Sequence, residues 1–283
     1  IFRRLVRGRL RQALASMPAI PHSPAMTVND DPLKSVLVTG AARRIGRAIA
    51  LDLAKSGWTV AIHCNRSKGE AAAVADEISA LGGTAKVVQA DLASEEGADG
   101  LVQQARDAIG PLSGLINNAS VFEKDTPQTA TKDSWESHMQ VNLRAPFQLT
   151  QAFAHQLPKG TEGNVINLID QRVWNVTPHF TSYTVSKVAL WGLTQNLALA
   201  LAPSIRVNAI GPGPTLASIH QTEEQFERQW SAQPLSRPVK PEEICRAVQF
   251  LLDAPSITGQ MIVLDGGQHL GWAPGSLDPG FME

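Results

Sequence analysis

The sequence predicts an α/β fold: a single-domain, doubly wound parallel sheet. Two observations carry this. From Ser35 to Leu264, short aliphatic and β-branched runs alternate with longer stretches of helical character. Strands at that spacing, each separated by a helix, pair in parallel with helices on both faces. No internal repeat or interdomain linker breaks the alternation.

Each element has its own signal. Val36 to Val38 reads as a buried strand, followed by a helix from about Ile45 to Ser56. A second strand is expected from Trp58 to His63, then an Ala/Glu-rich helix from Gly69 to Leu81. Ala85 to Gln89 is a third strand, Glu95 to Ile109 a helix and Gly114 to Ile116 a fourth strand. One helix is expected from Trp135 to Ala154, leading to a strand from Asn164 to Ile169. The helix holding Tyr183 runs to Leu201 and feeds a strand from Ile205 to Ile210. The polar stretch 215–237 reads as an irregular gating loop. A helix from Pro241 to Leu252 and a strand from Gln260 to Leu264 close the domain, which spans residues 34–271.

The ends differ in character. Residues 1–33 read as a flexible Arg/Pro-rich leader: five arginines (Arg3, Arg4, Arg7, Arg9, Arg11) precede a Pro/His/Ser stretch. Such a composition also resembles a transit peptide, and a translation start at Met17 or Met26 would remove it. The Gly/Pro-rich tail, 272–283, either reaches a neighbouring subunit or stays unordered.

Composition narrows the function. A formal net charge of −1 gives no global electrostatic case for nucleic acid or an anionic membrane as partner. The longest apolar run, Val188 to Ala202, is broken by Gln195 and Asn196 and falls short of the ~18 residues a membrane span needs. Two distant cysteines, Cys64 and Cys245, fit a reducing compartment and point to the cytoplasm. The seven histidines show no metal-ligand spacing, so no metal is expected. A small molecule is the expected substrate.

Chemistry concentrates at the predicted strand ends, where doubly wound sheets bind ligands. The only tyrosine, Tyr183, stands four residues before Lys187. On a helix that spacing puts phenol and ammonium on one face, and a nearby cation favours phenolate. The pair suits proton exchange with a carbonyl or imine. Gly40 and Gly46 bracket the first strand-to-helix turn, with Arg43, Arg44 and Ile45 between them, and such a turn holds a pyrophosphate. After the second strand come His63, Asn65, Arg66 and Ser67, with no acid before Glu70. An NAD site wants an acid there; an arginine fits a 2′-phosphate, so the expected cofactor is NADP(H). Asp91 and Leu92 close the third strand and are placed to meet the adenine. Asn118, Ala119 and Ser120 close the fourth, Asp170 the fifth, and Gly213 the sixth.

Taken together, Thr39-Gly40…Gly46, Asn117-Asn118-Ala119, Asn142, Tyr183-x-x-x-Lys187, Arg206-Val207-Asn208, Gly211-Pro212-Gly213 and Asp265-Gly266-Gly267 resemble the short-chain dehydrogenase/reductase family from Ser35 to Leu270. The resemblance implies a Rossmann-type sheet, hydride transfer from a nicotinamide and a homotetramer (or homodimer). It implies Tyr183 as proton donor and Lys187 on the nicotinamide ribose. Asn142 would hold a relay water through its main chain, and Asn118 would support the cofactor wall.

Two departures carry more information. Arg44 stands where the family has a middle glycine, and Asp170 stands where it has a serine. A serine hydroxyl donates to a carbonyl; an ionised aspartate only accepts, and so suits a substrate presenting N–H groups. Both departures resemble the pteridine reductase branch, as do Ser120 with Phe122 and His63 with Arg66 and Ser67. That resemblance implies Phe122 stacking on a flat pterin. Arg44, Ser120 and Asp170 would then meet its polar edge, and Phe180 would help Tyr183 line the pocket. The expected function is NADPH-dependent reduction of a C=N or C=O bond, most simply of a pterin-like N-heterocycle. A carbonyl or 3-oxoacyl reductase is the nearest alternative; a non-catalytic cofactor-binding protein is the other.

Overall fold

The computed structural model describes residues 33–218 and 221–271. The leader, of which only Leu33 is described, and the tail from residue 272 lie outside the described residues. Within them the order is β1 (Ser35–Val38), α1 (Arg44–Lys55), β2 (Thr59–Cys64), α2 (Lys68–Ala80), β3 (Ala85–Gln89), α3 (Glu95–Ile109) and β4 (Gly114–Asn117). There follow α4 (Lys132–Met139), α5 (Ala145–Gln156), β5 (Gly163–Leu168), α6 (Thr181–Ala200) and β6 (Ile205–Pro212). The order ends with α7 (Glu223–Ser231), α8 (Pro241–Asp253) and β7 (Met261–Leu264).

The strands form one seven-stranded sheet in the order β3-β2-β1-β4-β5-β6-β7, and every neighbouring pair is parallel. Successive strand residues point to opposite faces, which builds two cores. Val36, Val38, Ile62 and Ile116 pack with Ile49 and Leu53 of α1, Ile78 of α2 and Leu251 of α8. Leu37, Leu115 and Val165 pack with Leu101 of α3, Phe153 of α5 and Leu197 of α6. Burying one such side chain contributes ~1.5–3 kcal/mol. An exposed ion pair such as Arg47–Glu77 contributes about 0–1 kcal/mol. The two cores therefore hold the sheet.

The chain order reverses between β1 and β4, and the crevice beyond their carboxyl ends is the expected ligand site. Two expectations are corrected nearby. The single helix from Trp135 to Ala154 is two helices joined by a π-helical turn, Gln140–Arg144. Pro146 has no N–H to donate and sits at the first turn of α5, where the ladder restarts. The stretch 215–237 is not wholly irregular: it contains α7, opened by a reciprocal capping box between Thr222 and Gln225.

Candidate active site

A cavity of about 730 Å³ opens at the switch point. Its floor is the turn between β1 and α1. Gly40 adopts φ +63°, and a Cβ on Gly46 would overlap the Gly40 carbonyl oxygen, so both positions need glycine. Asn118 closes the turn from β4, donating from Nδ2 to the carbonyls of Thr39 (2.8 Å) and Gly40 (3.2 Å). Thr39 Oγ1 accepts in return from the amides of Asn118 and Ala119, both at 2.9 Å. The amino end of α1 faces the cavity through Arg43, Arg44, Ile45 and Gly46, a setting that favours an anion. Arg44 has φ +53°, the left-handed conformation for which glycine is usual. Its guanidinium donates to the carbonyls of Ala217 (2.7 Å) and Leu216 (3.0 Å), linking the turn to the loop before α7.

The wall beyond β2 and β3 is polar. His63 is buried; its Nδ1 accepts from the Gly40 amide at 3.0 Å. Its Nε2 therefore carries the proton and donates to the Ala90 carbonyl at 3.2 Å. Burial lowers the His63 pKa to about 4, so the ring is neutral. His63 thus pins the glycine turn to β2 and β3. Asn65 donates to Asp91 Oδ1 at 3.0 Å, and both line the cavity with Leu92. Arg66 is exposed, and neither it nor Ser67 lines the cavity; Ser67 instead precedes α2 without a side-chain cap bond. Arg43 pairs with Glu70 at the exposed rim.

At the other end stand the groups with proton chemistry. Tyr183 and Lys187 share one face of α6, as their spacing requires. The Tyr183 hydroxyl donates to Asp170 Oδ2 at 2.9 Å, and the Arg172 amide donates to Asp170 Oδ1 at 2.7 Å. Lys187 is buried, donates to the Leu168 carbonyl at 2.9 Å, and lies 5.7 Å from the Tyr183 ring centroid. Burial pushes its pKa down to about 8, against the opposing pull of Asp170.

Asn142 does not line the cavity. Its side chain lies behind the wall, in the π-helical turn, where Oδ1 accepts from Val121 N (2.8 Å) and Ser120 Oγ (3.1 Å). Its Nδ2 donates to Val121 O (2.9 Å) and Ser186 Oγ (3.1 Å), tying the β4–α4 loop to α6. Phe122 lines the cavity and meets the Tyr183 ring edge-on at 4.7 Å. Phe180 is not a wall residue: it is buried and stacks on Phe122 at 4.4 Å with 6° between planes. It backs Phe122 rather than facing the cavity.

Sequence reasoning missed a buried network that seats α6. Phe180, the N-cap, offers no capping side chain. Asp125 supplies one from the β4–α4 loop: its Oδ1 accepts from the Ser182 amide at 3.1 Å, and its Oδ2 from the Ser182 hydroxyl. Its carbonyl accepts from the Phe180 amide at 2.8 Å. His138 Nε2 accepts from the Glu123 amide, leaving Nδ1–H for Ser134 O or, at 2.7 Å, for Ser182 Oγ. No local pattern announces this, because Asp125 and Ser182 are 57 residues apart. Among the described residues no cluster of His, Cys, Asp and Glu could hold a metal.

Residues 34–228 match the short chain dehydrogenase family model. The chain belongs to the short-chain dehydrogenase/reductase family. This reductase is similar to FolM alternative dihydrofolate reductase 1 from Brucella canis, solved with NADP. The two are 51% identical with a TM-score of 0.81, covering 86% of this chain and 97% of that one. A blue fluorescent protein from a metagenomic library, solved with NADPH, is 32% identical with a TM-score of 0.78, covering 83% and 98%. The Staphylococcus aureus 3-oxoacyl-[acyl-carrier-protein] reductase FabG is 33% identical over 242 residues, covering 84% of this chain and 98% of the relative.

Proposed function

We propose that this protein is an NADPH-dependent reductase of a C=N or C=O bond in a pterin-like N-heterocycle. The observation that carries the reading is Asp170, a carboxylate bonded to the Tyr183 hydroxyl where the family has a serine. The 51% likeness to an alternative dihydrofolate reductase supports it.

The residues fit a phosphorylated dinucleotide. The Gly40–Gly46 turn and the amino end of α1 would hold the pyrophosphate. Arg66 and Arg43 would take the 2′-phosphate, since the Arg43–Glu70 pair is exposed and cheaply exchanged. Asn65, Asp91 and Leu92 would meet the adenosine, and Ala119, Ser120, Gly213 and Lys187 the nicotinamide riboside. NADPH, when bound, supplies a hydride.

This chain's residues do the rest. Asp170 accepts from a substrate N–H, which displaces the Tyr183 hydroxyl from Oδ2. The freed phenol then gives its proton to the reduced atom, and the Lys187 ammonium stabilises the charge left behind. Phe122, backed by Phe180, offers a flat face to the ring, and Ser120 and Arg44 address the polar edge.

The test is NADPH consumption with dihydrobiopterin, beside a simple ketone, for wild type and Tyr183→Phe. We expect pterin turnover that drops ~10²–10⁴-fold in the variant. Ketone reduction without pterin turnover would favour a carbonyl or 3-oxoacyl reductase, the reading that the FabG likeness supports. Binding without any turnover would mean a non-catalytic cofactor-binding protein.

The assembly we propose is a homotetramer or homodimer. Val185, Val188 and Leu199 on α6 and Phe147 on α5 are exposed, with Leu199 84% so, an apolar set suited to a second copy. The cytoplasm is the proposed compartment, in keeping with the two buried free cysteines; no helix among the described residues is long and apolar enough to cross a membrane.

A further inference from the structure

The substrate end of the cavity holds a cation that the proton chemistry does not use. Arg172 lies two residues beyond Asp170, in the 3₁₀ turn Gln171–Val173. It lines the cavity, yet only 8% of it is exposed. Nη1 donates to Thr177 Oγ1 at 2.6 Å, and Nε is buried with no hydrogen-bond partner. The guanidinium carbon lies 5.0 Å from the centroid of Phe180, the ring that backs Phe122. Among the described residues no carboxylate pairs with it, whereas Arg43, Arg47, Arg144 and Arg237 each have one.

A hydroxyl and a ring face are weak company for a charge withdrawn from water. Buried charges are normally paired with a counter-charge. The nearest carboxylate in sequence, Asp170, takes the Arg172 backbone amide rather than its guanidinium, and its other oxygen is taken by Tyr183. Glu123 is a further carboxylate on the cavity wall, and its amide is held by His138. Lys187 faces Asp170, so Arg172 is left as a buried cation on the wall with no carboxylate bonded to its guanidinium. Arg43 and Arg44, by contrast, lie within the dinucleotide turn between Gly40 and Gly46.

We infer that Arg172 is a recognition site for an oxyanion on the substrate, a carboxylate or phosphate carried on a limb of the heterocycle that Phe122 stacks. This rests on the reading under Proposed function and narrows its substrate class: the favoured substrate is anionic. Guanidinium geometry suits either oxyanion through paired N–H donors. The neighbouring Gln171, also buried on the wall with an unpartnered Oε1, is left to accept an N–H from the same molecule.

The experiment compares three substrates with NADPH: dihydrobiopterin, whose side chain is uncharged, dihydrofolate, which carries carboxylates, and dihydroneopterin monophosphate. Each is measured with wild type, Arg172→Met and Arg172→Lys, with thermal unfolding as the control for folding. The Asp170 contact survives these changes because it uses the Arg172 backbone. We expect wild type to prefer one of the anionic substrates. In Arg172→Met the kcat/KM ratio of that substrate to dihydrobiopterin should fall about tenfold or more, mainly through KM, because a charge-assisted hydrogen bond is lost. Arg172→Lys should recover part of the ratio. Whether the carboxylate or the phosphate substrate shows the larger fall identifies the source of the anion. An unchanged ratio in Arg172→Met, with all substrates affected equally or not at all, overturns the inference and leaves the pterin reading standing. Wild type that reduces none of the three overturns both.

Discussion

The two ends of the cavity are built from different material. At the dinucleotide end the walls are backbone: the Gly40–Gly46 turn, held by Asn118 and His63 and fixed by parallel pairing of β1 with β2 and β4. At the substrate end the walls are side chains brought from separate segments, Asp170, Tyr183 and Phe122, with Asp125 behind them seating α6. A site made of backbone tolerates no added atoms. A site made of side chains depends on each of its members and on what holds them.

Three perturbations sharpen that contrast. The largest effect is expected at the backbone end. Gly46→Ala puts a methyl onto the Gly40 carbonyl and the Asn118 amide, so we expect NADP affinity, read by fluorescence titration, to fall at least about tenfold. An unchanged affinity would show that the turn can open to admit the methyl, and that backbone closeness does not govern this end. The next effect is at the side-chain end. Asp125→Ala strips the cap from α6 and leaves the Ser182 amide and hydroxyl without their partner, costing roughly 1–3 kcal/mol of stability. Denaturant titration measures it, and kcat should drop more than NADP affinity because Tyr183 rides on that helix. An equal loss in both would mean the two ends are not independent.

The smallest effects come with pH. The Lys187 pKa, lowered to about 8 in the fold, lies below its ordinary value of 10.5. The unfolded chain therefore binds more protons between those values, and Lys187 adds stability as pH rises through that window. Activity should move the opposite way, with kcat falling above about pH 8 as the ammonium is lost. His63, lowered to about 4 from 6.5, makes the fold lose stability as pH falls from 6.5 towards 4. A stability curve flat across both windows would contradict the buried placement of the two groups.

The same contrast explains what the sequence could disclose. The alternation of strands and helices, the glycine turn and the Tyr183/Lys187 face follow from local periodicity and short spacings, and the structure has them as expected. Asp170 was legible because it closes the fifth strand and stands where the resembled family has a serine. Phe180 was placed at the pocket wall, but it is buried and stacks on Phe122. Asp125 and His138 left no trace in any window, because their partners are distant in the chain. Two misses had readable signals: Pro146, which breaks the helix around Asn142, and the Thr222/Gln225 capping box that opens α7.

The most direct measurement is the substrate preference of Asp170→Ser, assayed by NADPH consumption with dihydrobiopterin and with a simple ketone. We expect pterin reduction to be largely lost while ketone reduction is kept or gained, since serine donates where aspartate only accepts. Pterin turnover that survives the substitution intact would contradict the role of Asp170, and with it the substrate class proposed for this reductase.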